Sequence, residues 1–233
     1  VMRQEKKKLL LVIISLIIAG ISPNLFPVAQ AGIAKLSSLA VEFLIPSVVI
    51  TLILIIVAHA LEYDDVRKQI TNGILAGLVG TIGLEIVREI GFRIGGMPGD
   101  MPKLLGVLLL DRFAQGPSFW SNVAGWAYHF WNGAAFGIIF SLIFGRGKNW
   151  MGIIYGILIG IGFMVGPATR ALGIGAFGLQ FKDGYQFLTT VTLAHIALGS
   201  VLGWIIYKKN AGIPNIFVRL KKGLSNANKV DRT

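Results

Sequence analysis

The run AGWAYHFWNGAAFGIIFSLIFG, residues 124–145, decides the fold class. A helix crosses the ~30 Å hydrocarbon layer of a bilayer with about 20 apolar residues, and this run has that length. Two polar side chains, His129 and Asn132, interrupt it. Gly125, His129, Gly133 and Gly137 recur every four residues, so they share one helix face. The run LAHIALGSVLGW, residues 193–204, repeats the arrangement with His195, Gly199 and Gly203. An imidazole followed by a strip of bare backbone, used twice in one chain, is the most informative pattern in the sequence.

Working outward, the composition agrees with a membrane solvent. Hydrophobic residues make up 54% of the 233 positions, charged residues only 14%, and the mean hydropathy is +0.71. A soluble domain carries about 25% charge. Long apolar runs without strict alternation predict helices rather than a β-barrel. The net charge of +11 is carried by Lys and Arg at the ends of the apolar runs. Topology and anionic headgroups account for that distribution, and nucleic acid is not expected as a partner. The absence of cysteine excludes disulfides, thiolate metal sites, iron–sulfur ligation by this chain and c-type haem attachment.

Six spans are expected. The first runs from Leu9 to about Leu25 and is ended by Pro23 and Pro27; its basic start and Ala29-Gln30-Ala31 also resemble a signal peptide. The second covers about Val41–Leu61, with Pro46 in its first turns and His59 near its end. The third starts near Ile70, carries Gly73, Gly77, Gly80 and Gly83, and closes on Glu85, Arg88, Glu89 and Arg93. Residues 124–145, 151–169 and 188–207 are the remaining three. A short interfacial or re-entrant helix is expected near 101–113, because LLGVLLL is too short to span.

The resulting units are an N-terminal hairpin (9–61), a four-helix domain (70–207) and a basic tail (208–233). Within the middle unit, 70–145 and 151–207 read as a parallel two-helix repeat, each half ending in a histidine helix. Fifteen of the 22 Lys and Arg fall on the side holding both termini, which predicts cytoplasmic termini in a plasma-membrane protein.

Gly73 to Gly83, the segment Met101-Pro102-Lys103-Leu104-Leu105-Gly106 and the two His-x3-Gly-x3-Gly runs also resemble a family of small archaeal and bacterial polytopic membrane proteins. That resemblance covers residues 70–207. The family has no assigned activity, so it implies a fold and nothing about function.

The functional expectation rests on depth. Counting 1.5 Å per residue puts His129 and His195 roughly 10 Å below the same face of the membrane. Two neutral imidazoles on facing helices suit the axial positions of one b-type haem, with Gly133 and Gly199 leaving room for the macrocycle. The expected protein is therefore a membrane subunit of a redox complex, docking an extracytoplasmic redox subunit. Glu85, Arg88, Glu89 and Arg170 form an expected ion-pair, proton or quinol cluster at the same face. Metal held by His129 and His195 alone is the weaker variant, since two ligands are too few. A structural or anchoring subunit, in which the glycines serve packing only, and a small transporter or channel are the alternatives.

Overall fold

The structure, a computed structural model, describes residues 2–225. Among these residues there are ten α-helices, one π turn and two 3-10 turns, and no strand. Helix α1 is Met2–Gln30. Helices α2 (Leu36–Leu39) and α3 (Ile45–Ala60) join through the π turn Ala40–Leu44 into one rod. Then follow α4 (Asp64–Arg93), the short α5 (Met101–Leu109) and α6 (Phe119–Phe144). Helices α7 (Asn149–Val165), α8 (Pro167–Ala171), α9 (Gly184–Lys209) and α10 (Ile216–Ser225) complete the chain. Six helical stretches are long and apolar enough to cross a bilayer, which makes this a multi-pass membrane fold.

Boundaries differ from expectation where proline was read as a stop. Helix α1 continues through Pro23 and Pro27 to Gln30. Polar side chains gather around the interruption: Asn24 donates to the Gly20 carbonyl at 2.7 Å, and the Tyr128 hydroxyl to that of Ser22 at 2.9 Å. Membrane helices tolerate proline where such groups are at hand. The second span begins at Leu36 rather than near Val41. Its π turn lies just before Pro46, whose ring leaves no N–H for the preceding turn to bond. The third starts at Asp64, six residues before the expected Ile70. The expected helix near 101–113 forms over Met101–Leu109. Residues 226–233 of the basic tail lie outside the described residues.

Helix α4 is the hub, packed against α6 on one face and α9 on another. A Cβ on Gly77 would overlap the Gly133 carbonyl, and one on Gly137 would overlap that of Gly73, so the α4–α6 backbones touch. Gly80 sits on Leu198 and Gly91 on Thr190, which forms the α4–α9 seam. A third seam joins α7 to α9 through Gly152 and Gly156 against Gly199 and Gly203. Without a hydrophobic driving force between helices in lipid, such close approach is how a bundle gains packing energy. We call the end carrying residues 94–118 and 166–183 the connector end, and the other the terminal end.

The terminal end is tied by polar groups. Arg219 of α10, 3% exposed, pairs with Asp65 at 2.9 Å and donates to Gln69 at 2.9 Å. Lys8 of α1 reaches the same Asp65 at 3.5 Å. Buried Asn210 donates to Ser141 and to the Gly145 carbonyl, and accepts from Asn72.

Candidate functional site: an apolar cavity with polar groups toward the connector end

Glu85 and Arg88 stand one turn apart on α4 and are 8% and 5% exposed. Arg88 Nε lies 2.8 and 2.9 Å from the two Glu85 carboxylate oxygens, and its Nη2 lies 2.8 Å from Oε2. His129, arriving on α6 across the Gly77–Gly133 seam, places Nε2 2.8 Å from Glu85 Oε1. A carboxylate only accepts, so the hydrogen sits on Nε2. Arg88 also faces Glu89 at 3.4 Å and Asp100 at 3.7 Å, and these are paired with Arg93 and Lys103. Despite this company, Arg88 Nη1 is buried without a hydrogen-bond partner among the described residues, as is Asp100 Oδ1.

His195 is held differently. Its Nδ1 lies 2.8 Å from the Val191 carbonyl one turn back, so Nδ1 carries the hydrogen. The neutral ring therefore presents the Nε2 lone pair. Gly160 of α7 packs against the ring, with an added Cβ about 3.0 Å from it, so the imidazole is clamped between helices.

Arg88, His129 and His195 all line one cavity of about 520 Å³, inside the ~300–1,000 Å³ range of small-molecule sites. Thr81, Leu84, Ala194 and Leu198 supply its apolar back wall. Asn132 lines it too, accepting from Ser22 at 2.6 Å and thereby joining α6 to α1. Met97, Met101 and Leu105 cover the connector end. Toward the terminal end, Tyr155 of α7 donates to the Phe136 carbonyl at 3.1 Å and meets the Phe136 and Phe140 rings.

The expected residues are only partly brought together. His129 and His195 share the cavity, and Glu85 stands behind Arg88 and His129. Gly133 lines the cavity, but its bare face is filled by Thr81 and Gly77. Gly199 packs on Gly152 and is not among the lining residues. These two glycines thus make helix crossings rather than room for a macrocycle. Arg170 is exposed on α8, where Ala168 and Thr169 take the buried face, and among the described residues no carboxylate pairs with it. Asp100, which is not among the expected residues, joins Glu85 and Glu89 around Arg88. His59 is exposed at the terminal end of α3, away from the cavity.

Among the described residues, no three His, Cys, Asp or Glu side chains are grouped to hold a metal ion. No family model, no curated protein and no solved structure matches the chain. The site must therefore be read on its own chemistry.

Proposed function

We propose that the chain is the quinone-holding membrane subunit of an electron-transfer complex. Its cavity would receive a lipid-soluble molecule with an apolar body and a small oxygen-bearing head. The observation that carries this reading is the meeting of Arg88 and His195 on the lining of one apolar cavity, where Nδ1 of His195 is held by the Val191 carbonyl and Nε2 is left to a ligand, and Arg88 Nη1 just behind the wall has no hydrogen-bond partner among the described residues. A quinol hydroxyl donates to His195 Nε2, and a ring oxygen accepts from Arg88 Nη1. An unsatisfied buried donor costs about 1–3 kcal/mol, more when charged, so a small turn of the Arg88 guanidinium toward a bound oxygen relieves it. Glu85 and His129 hold the Arg88 fork in place and supply a carboxylate–imidazole pair beside it.

A parallel repeat fits the same reading. The α4–α6 and α7–α9 pairs cross through equivalent glycines and bring His129 and His195 to one cavity. In this proposal α5 is an interfacial helix capping the site from outside, both termini are cytoplasmic, and an extracytoplasmic redox subunit docks on the connectors.

Haem b is the second reading. His195 favours it, since a backbone-anchored Nδ1 and a free Nε2 suit an axial ligand. His129 disfavours it, because its Nε2 is engaged by Glu85. An oxidised-minus-reduced absorption spectrum of the detergent-solubilised protein separates the two: the quinone reading expects no Soret band. Titration with decylubiquinone, followed by quenching of the Trp126 and Trp131 fluorescence, tests the first directly. His195→Leu removes one hydrogen bond to the head and is expected to weaken binding by about tenfold. Unchanged affinity in His195→Leu would sink it.

A further inference from the structure

The cavity runs along the bundle between a back wall and a front of two helices. Met97, Met101 and Leu105 line it toward the connector end, and Phe136 and Ile139 toward the terminal end. The back wall is the tightly seamed trio α4, α6 and α9. The front is formed by α1, which is pinned to α6 by Ser22 and Tyr128, and α7, which is seamed to α9. Toward the connector end, Phe163 of α7 and Ala168 beyond it both join the cluster that holds Leu25 and Phe26 of α1.

Two glycines on the front helices are unlike the others in the spans. At Gly20 of α1 and Gly162 of α7 an added Cβ would meet nothing within 4 Å, and both residues line the cavity. Every other glycine inside a spanning helix has a neighbour within that distance. Gly162 is exposed, as are Ile17, Leu158 and Ile161 beside it on the same two helices. Those side chains lie mid-span, so what they face is acyl chain rather than water.

We propose that the gap between α1 and α7, edged by Gly20 and Gly162, is a lateral portal from the bilayer into the cavity. The ligand slides in from the lipid head first, and its apolar tail stays in the slot. This deepens the quinone reading by specifying a tailed, membrane-dissolved ligand, and it rests on that reading for the ligand's identity. The route itself can be tested without it.

The chain has no cysteine, so Ala194→Cys places a single thiol on the cavity's back wall. In proteoliposomes this thiol should react with N-phenylmaleimide, which dissolves in lipid, and be protected from a charged, membrane-impermeant maleimide. Gly20→Phe and Gly162→Phe each project a ring into the slot, and together they should slow the lipid-borne reaction by about tenfold or more. Folding of each variant is checked by its unfolding midpoint in detergent. An unchanged rate in the double Phe variant overturns the portal, as does equal labelling by the charged reagent, which would place entry at the connector end. Absence of labelling in the chain with both glycines intact also overturns it, since a second copy or a partner would then cover the gap. A separate titration compares decylubiquinone with the same quinone lacking its decyl chain. Loss of tail-dependent binding in the Phe variants supports the portal; failure of both quinones to bind the unblocked chain counts against the quinone reading alone.

Discussion

At the scale of the residue, Arg88 is the side chain on which the site depends. A guanidinium in an apolar span is stable only if its charge is met, and Glu85 meets it through three close N–O contacts. Breaking a buried pair from one side leaves an uncompensated charge, at a cost of about 3–5 kcal/mol. Glu85→Ala is therefore expected to lower stability by that order, measured as reversible unfolding in mixed micelles, while Glu85→Gln, which keeps an acceptor for Arg88 and His129, should lose less. His195→Leu gives up one bond to a backbone carbonyl within its own helix. Its unfolding midpoint should move little even as ligand binding falls, which separates a binding role from a packing one.

At the scale of the element, the helices are spaced by their glycines. At Gly77 and Gly133 there is no volume for a side chain, because the opposing backbone already occupies it. Gly77→Leu is expected to destabilise the bundle by at least the ~1–3 kcal/mol of an overpacked core. Gly20→Ala has the opposite expectation. Nothing stands within 4 Å of the new methyl group, and alanine is the better helix former by about 0.5–1 kcal/mol. Thermal unfolding of these two variants side by side reads both signs. The four-residue glycine spacing was legible in the sequence. That Gly20 and Gly162 serve no crossing was not, since spacing alone does not report which face meets a neighbour.

At the scale of the whole molecule, the excess of Lys and Arg beside the termini predicts the orientation. Single cysteines at Lys7 and at Lys209 should be labelled by an impermeant maleimide from one side of the membrane, and one at Lys182 from the other. Arg219 docks α10 beneath the bundle by pairing with Asp65 and Gln69. Arg219→Ala should release that helix, seen as faster amide exchange over Ile216–Ser225, with protection of α4 and α6 retained above the first turns of α4.

The reach of the sequence follows from what each signal measures. Apolar run length is a local property and is dictated by bilayer thickness, so six spans and a helical membrane fold could be read directly. The recurrence of His-x3-Gly-x3-Gly is local as well, and it placed both imidazoles on faces that do meet a common cavity. What required the tertiary structure was everything decided by a partner from a distant part of the chain: His129 spending its Nε2 on Glu85, Asp100 joining the carboxylates around Arg88, proline-bearing α1 continuing as one wall of the cavity. A hydrogen bond or a void belongs to two or more elements at once, and the spacing of residues along one of them carries no information about the others.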